Sequence, residues 1–302
     1  MNSIDAAQLQ ANDGNMLLLQ FCIAFILFSL AIDIKKEDFQ TLLTNPKAVL
    51  IGCISQMILL PLATFLLILI LKPAPGIALG MILVAACPCG NMSTYISYLA
   101  KGFIPLSITI TTISTLSASF TTPFSFYLYA SHYQPANSLL QTIHLDFFDL
   151  LRSVVIILLL PLLTGITLRY FLPGFVQKIN KPVKTLALLL FLSFLAVAFI
   201  VNRKVFIEFL PSIFGVVFIQ NALAFMIGYY FARSFRLPEN QSRAVSIETG
   251  IHNSGLGLIL VMTFFKGNGG MALIAAWWGI WHIIAGMALA KFWRWRDHRA
   301  SS

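Results

Sequence analysis

Nine apolar runs, each of about the 20 residues a helix needs to cross a bilayer's hydrocarbon core, follow one another along the chain. They lie roughly at 16–34, 48–71, 76–100, 103–130, 148–171, 183–201, 205–233, 241–265 and 270–292. The runs are continuous rather than alternating and exceed the roughly 10 residues of a barrel strand, so they predict helices. The joints are too short for a soluble appendage, which predicts one transmembrane domain over residues 1–302. Only 10% of the residues are charged, against about 25% in a soluble globular domain. That shortage excludes a water-soluble enzyme, a nucleic-acid-binding module and a disordered scaffold. The chain reads as an all-α integral membrane protein whose surroundings are the lipid bilayer, with no obligatory protein partner evident.

The net charge of +9 comes from a scarcity of acids, 11 against 20 lysines and arginines. With the N-terminus outside, the inward joints hold Lys35, Lys36, Lys47, Lys101, Arg169, Lys178, Lys181, Lys184, Arg233, Arg236, Arg243, Lys291, Arg294, Arg296 and Arg299. The outward joints hold only Lys72, Arg152, Arg203, Lys204 and Lys266, and the stretch 131–147 holds no lysine or arginine at all. Such a bias predicts an inner (plasma) membrane protein with the N-terminus outside and the C-terminus in the cytoplasm. The first run is longer than a signal-peptide core and follows a tail without a basic residue, so it is read as a membrane helix. Cys22, Cys53, Cys87 and Cys89 all fall inside apolar runs, which is not the spacing of a disulfide framework.

Two runs are interrupted. The third carries Cys87-Pro88-Cys89-Gly90-Asn91, where proline removes a backbone donor and glycine weakens the helix. The eighth carries Ser246-Ile247-Glu248-Thr249-Gly250-Ile251-His252-Asn253-Ser254-Gly255. Polar side chains and unwound backbone at that depth are tolerated where they line a cavity or pack inside protein. Interrupted segments at matching places in two halves point to a secondary transporter built from inverted repeats. Both segments also run on to a Lys-Gly pair, Lys101-Gly102 and Lys266-Gly267.

Of the 11 acids only Glu248 lies well inside a run, with no lysine or arginine at its depth. A bound cation or a proton is the natural counter-charge for such a carboxylate. Hard cations favour oxygen ligands. Ser93 and Thr94 follow the third-run break, Ser107 and Thr111 share one helix face, and Gln56 lies at mid-membrane depth. His282 is read as a packing histidine bonded between helices. The terminal Lys291-Phe292-Trp293-Arg294-Trp295-Arg296 is read as an interfacial anchor.

These residues, in this order, resemble the bile acid:sodium symporter family. The likeness begins at Leu30-Ala31-Ile32-Asp33-Ile34-Lys35-Lys36-Glu37-Asp38-Phe39 and runs through Asn45-Pro46-Lys47 and Ile54-Ser55-Gln56 to Pro61. It is strongest at Ala86–Thr94 with Tyr98–Gly102, and at Glu248–Leu256. The resemblance implies two inverted five-helix repeats lacking the first helix. It implies a panel and a core, with the broken helices (about 76–100 and 241–265) crossing in the core. It implies a first sodium site of Ser93, Thr94, Ser107, Thr111 and Glu248. A second would use Gln56 and Glu248, carbonyls near Thr249 and Ile251, and the side chain of His252. Asn253, with Asn91 and Ser254, would face the organic anion. The chain departs from the family where Cys89 replaces a glycine, Thr94 an asparagine and His252 a glutamine.

The function so implied is sodium-coupled symport of an organic anion, bile-acid-like or a small carboxylate, by alternating access, with Na+ as coupling ion and no organic cofactor. Two alternatives stand beside it. One is a proton-coupled carrier of the same fold, in which Glu248 and His252 titrate and transport becomes pH-dependent. The other is an arsenite-type exporter with Cys87 and Cys89 as soft ligands.

Overall fold

The structure is a computed structural model that describes residues 16–90, 92–137, 139, 147–201 and 203–301. The N-terminal tail, Asn91 and residues 138 and 140–146 of the stretch 131–147 lie outside them. Among the described residues the chain is helical and holds no named strand. The helices are α1 (Met16–Ala31), α2 (Gln40–Thr44), α3 (Pro46–Ile54), α4 (Leu60–Leu71), α5 (Pro75–Ala86), α6 (Met92–Leu99) and α7 (Ile104–Ser131). After these come α8 (Phe147–Phe171), α9 (Pro173–Val201), α10 (Arg203–Ser234), α11 (Glu239–Gly250), α12 (Ser254–Phe264) and α13 (Gly269–Ser301).

Among the described residues four segments are long and apolar enough to cross a membrane: Pro46–Leu71, Ile104–Ser131, Phe209–Ser234 and Gly269–Arg299. Shorter apolar helices cover Pro75–Ala86, Leu159–Phe171 and Ser254–Phe264. The Pro46–Leu71 segment shows how such a helix divides its faces. Leu60, Thr64 and Ile68 are buried, while Ile58, Leu62, Leu66, Leu69 and Ile70 stand exposed on the other face. An exposed apolar stripe of that length belongs against lipid. Within the segment, Ser55–Leu59 forms a π turn in which the Leu60 N–H reaches the Ser55 carbonyl. Pro61 is the cause available in the sequence, because it lacks the N–H that would continue the α ladder.

Where α5 and α13 approach closely, side chains are missing. Gly76 and Gly80 stand four apart on α5, and a Cβ on Gly80 would lie 2.9 Å from the Met271 Cα of α13. A Cβ on Gly270 would lie 2.8 Å from the Gly76 carbonyl carbon. Small residues at this spacing let backbones approach, the association mode helices use in lipid. The apolar core between α5, α12 and α13 includes Leu79, Met81, Ile82, Val84, Leu258, Val261, Ile274 and Trp278.

The predicted interruptions are real chain breaks. The third run is two helices, α5 and α6, and the eighth is two, α11 and α12. One order of elements recurs around each. A long helix ends at a cation with left-handed backbone, Lys72 (φ 47°) or Arg236 (φ 61°). A half-helix, a break and a second half-helix follow, ending at another such cation, Lys101 (φ 55°) or Lys266 (φ 50°). A long helix then begins. A non-glycine residue in this region is uncommon, and a cation there also faces the negative end of the helix before it.

Polar contacts hold the ends of these elements together. Arg243, on the first turns of α11, grips Asp297 of α13 with both terminal nitrogens (2.9 and 2.5 Å). It also donates to Glu239 (3.1 Å) and to the Ala100 carbonyl that closes α6 (3.1 Å). Tyr229 of α10 and Arg296 of α13 donate to Glu239 as well. The Arg243 side chain is only 4% exposed, so removing its charge takes the bidentate partner from Asp297 and one of three donors from Glu239, and opens the Ala100 carbonyl. Arg243→Gln is expected to cost about 3 kcal/mol of stability, read as a lower thermal midpoint in detergent; an unchanged midpoint would contradict this account of the packing.

Candidate functional site

Both breaks are extended, and each completes the other's hydrogen bonds. Pro88 disfavours helical backbone at the residue before it, and Cys87 accordingly sits at φ −70°, ψ 153°. On the other segment Ile251 is extended at φ −111°, ψ 100°. Cys89 and His252 face one another as an antiparallel pair. The Gly90 N–H donates to the Ile251 carbonyl (3.0 Å), and the Asn253 N–H to the Pro88 carbonyl (2.8 Å). Glycine at 90 permits this approach: a Cβ there would lie 3.0 Å from the His252 carbonyl oxygen, a tight contact with backbone.

The carbonyls orphaned where α5 and α11 stop are met by side chains. His252 Nδ1 bonds the Val84 carbonyl (2.8 Å), Thr122 the Ala86 carbonyl (2.9 Å), and Gln56 Nε2 the Cys87 carbonyl (3.4 Å). On α11 the Cys89 thiol donates to the Glu248 carbonyl (3.3 Å) and Asn221 to the Gly250 carbonyl (2.8 Å). The Cys89 N–H donates to Ser114 Oγ (3.2 Å). Asn253 caps α12, its Oδ1 accepting from the Leu256 N–H (3.0 Å). Non-helical backbone at membrane depth needs such internal satisfaction.

Beside this paired break lies the Glu248 carboxylate, fully buried. Ser107 donates to Oε1, and Thr111 donates to Oε2 at 2.7 Å. Ser93 Oγ lies 3.2 Å from Thr111 Oγ1, and Ser107 Oγ lies 3.3 Å from Thr94 Oγ1. The structure thus gathers Ser93, Thr94, Ser107, Thr111 and Glu248 from three helices: α6, α7 and α11. Four hydroxyls and one carboxylate are an all-oxygen set, and each hydroxyl can turn a lone pair toward a cation by rotating its proton away. The N-terminus of α6, which carries Ser93, adds its positive dipole end beside the carboxylate.

The other expected ligands are disposed differently. Gln56 faces the Cys87 carbonyl rather than the Glu248 carboxylate, and its Oε1 is buried without a partner. Thr249 Oγ1 bonds Ser55 (2.9 Å) and the Val245 carbonyl (2.8 Å). The carbonyl of Ile251 is occupied by Gly90, and the imidazole of His252 turns to Val84 rather than to Glu248. Asn253 and Ser254 line a cavity of about 340 Å³ with Gly90, His252 and His282, while Asn91 lies outside the described residues. His282 is 4% exposed, as expected of a packing histidine, and its Nδ1 has no partner.

Ser55, Ser114, Thr122 and Asn221 escaped the sequence analysis. Asn221 carried a signal, as an amide deep in an apolar run beside Gln220; the three hydroxyls carried none, since serine and threonine commonly bond their own helix.

The similarity to known proteins covers most of the chain. It is 31% identical over 274 residues to the sodium-dependent transporter YocS of Bacillus subtilis, covering 90% of this chain and 81% of that one. It is 31% identical over 276 residues to the probable chloroplastic sodium/metabolite cotransporter BASS2 of Oryza sativa subsp. japonica, covering 90% of this chain but 62% of that one. With the hepatic sodium/bile acid cotransporter of Rattus norvegicus the identity is 28% over 250 residues, covering 82% and 68%. The profile of the sodium bile acid symporter family matches residues 20–209, more than half of the sequence, and the chain therefore belongs to that family.

Proposed function

We propose that this multi-pass membrane protein is a secondary transporter that couples sodium to a small organic anion by alternating access. The observation that carries this is the buried Glu248 carboxylate inside four hydroxyls, Ser93, Thr94, Ser107 and Thr111, with no cationic side chain among the described residues in hydrogen-bond contact. The sodium in the relatives' names supports the choice of cation. In this reading the cation neutralises Glu248 and draws α6, α7 and α11 together around the paired breaks. Gln56, with its unpartnered Oε1, contributes to a second position together with the carbonyls near Thr249 and Ile251. Asn253 and Ser254, with Asn91, hold the anion at the N-terminus of α12, where the helix dipole favours negative charge.

The recurring order of elements, with its four left-handed cations, supports two inverted repeats whose broken helices cross at Cys89 and His252. The packing of α1 against α8 and α9 supports a panel distinct from a core, all within one domain. Proton coupling through Glu248 and His252 is less favoured, because the two are separately partnered, Glu248 by Ser107 and Thr111 and His252 by Val84. Thiol ligation is less favoured too, since Cys87 and Cys89 lie in different apolar clusters.

Thermal unfolding in detergent tests the reading. Sodium is expected to raise the midpoint in a saturable way while equal potassium does not; equal effects of the two salts would refute it. The basic bias sets the orientation, with the N-terminus outside. A cysteine placed at Ser302 should be labelled by a thiol reagent only after permeabilisation, and labelling of intact cells would reverse the topology.

A further inference from the structure

The wall of the 340 Å³ cavity is formed on one side by Ile26, Leu27 and Ser29 of α1 with Lys184 and Ala187 of α9. On the other side stand Asn253 to Leu256 at the start of α12, and Gly279, His282 and Ile283 of α13. Lys184 is the only lysine, arginine, aspartate or glutamate among the lining residues. An ammonium facing an otherwise apolar and neutral pocket is costly unless something negative meets it. In this structure Asp33, just beyond α1, meets it. Two features make that pairing exchangeable. Both side chains are partly exposed (49% and 32%), and a pair so placed contributes little to stability. Asp33 also accepts from Asn180 Nδ2 at 2.8 Å, so it stays partnered when Lys184 swings away. Opposite Lys184, two buried imidazoles carry nitrogens without partners, Nε2 of His252 and Nδ1 of His282.

We infer that Lys184 is a specificity-determining residue that supplies the counter-charge for the anionic group of the substrate, with Asp33 as its resting partner. The inference rests on the proposed anion transport and deepens it. The anion enters between α9 and the N-terminus of α12, and its carboxylate or sulfonate takes Lys184 from Asp33, leaving Asp33 to Asn180 and water. Substrate and Asp33 therefore compete for one ammonium. The class of substrate follows: a compact body for the apolar wall, carrying a single accessible anionic end.

The test uses the purified transporter in sodium chloride, titrated with cholate, pyruvate and the uncharged amide of each, with binding read from thermal shifts. Wild type is expected to prefer at least one of the anions to its amide. Lys184→Gln should weaken that anion about tenfold or more, the loss of one charge-assisted hydrogen bond, and leave the amide unmoved. Lys184→Arg should retain the preference. Asp33→Asn should tighten the anion severalfold, because it frees the ammonium. A merely structural salt bridge predicts the same direction for Lys184→Gln and Asp33→Asn. Shifts of one sign, or a wild type that does not distinguish any anion from its amide, overturn the inference. Stabilisation by sodium over equal potassium is read in parallel samples without anion, and its absence from wild type would sink the transport reading separately.

Discussion

Glu248→Gln is expected to abolish stabilisation by sodium while leaving a folded protein. The amide keeps the volume of the carboxylate and can still bond Ser107 and Thr111, but it removes the negative charge that makes a dehydrated cation tolerable at that depth. A ligand held only by the native state stabilises it by about 2.7 kcal/mol at a concentration 100 times its dissociation constant, and that increment should vanish. Sodium-driven uptake should vanish with it. Ser107→Ala and Thr111→Ala each remove one neutral oxygen from the cage and should weaken sodium about tenfold, equivalent to roughly 1.4 kcal/mol, without eliminating it. Sodium titrations of thermal midpoint for the three variants check the order. If Glu248→Gln still responded to sodium like the wild type, the cage would not be the cation site.

Gly90→Ala should be nearly as damaging, through backbone alone. The new Cβ would stand 3.0 Å from the carbonyl oxygen of His252, 3.3 Å from its carbonyl carbon and 3.5 Å from the Asn253 nitrogen. All three are main-chain atoms of the opposite break, so no side chain can turn aside to make room. The two breaks must separate, and the bonds Gly90–Ile251 and Asn253–Pro88 loosen. The cost is about 1–3 kcal/mol in overpacking. Ser93 follows within one turn of helix, so the oxygens around Glu248 move as well. Uptake measured in proteoliposomes should fall at least about tenfold, the effect of about 1.4 kcal/mol or more at the site. Gly215→Ala is the control: its Cβ meets nothing within 4 Å, and alanine in a helix interior is favoured over glycine by up to about 1 kcal/mol. Equal uptake by Gly90→Ala and wild type would remove the paired breaks from the mechanism.

The parts of this architecture that depend on local chemistry were legible from residues alone. Continuous apolar runs predict helices because a lipid-embedded backbone must satisfy itself, and one carboxylate without a cation at its depth marks a site because isolation there is expensive. The break at Cys87 could be read from Pro88. The break at Ile251–Asn253 was harder to locate, since no proline marks it. Its position is set by the other segment, whose Pro88 carbonyl and Gly90 N–H take up the freed groups. Tertiary contacts of this kind leave no periodic trace. The same holds for Gln56, whose depth was readable but whose direction depends on the π turn at Ser55–Leu59 and on the exposed Cys87 carbonyl. The second site implied by the resemblance puts His252 beside Glu248, yet the chain is extended at Ile251 and the imidazole turns to α5 instead. The glycine pair of α5 stood in plain view and specifies a close helix contact, but nothing in the sequence named Gly270 and Met271 as its partner.

The central claim is that an inward sodium gradient drives an organic anion through this chain. Proteoliposomes containing the purified protein, loaded with potassium and diluted into either sodium or potassium medium, test it directly with radiolabelled cholate and pyruvate. The account predicts accumulation of at least one of them above its external concentration in sodium, none in potassium, and none in either medium for Glu248→Gln. Uptake that is equal in the two media, or undiminished in Glu248→Gln, would contradict it.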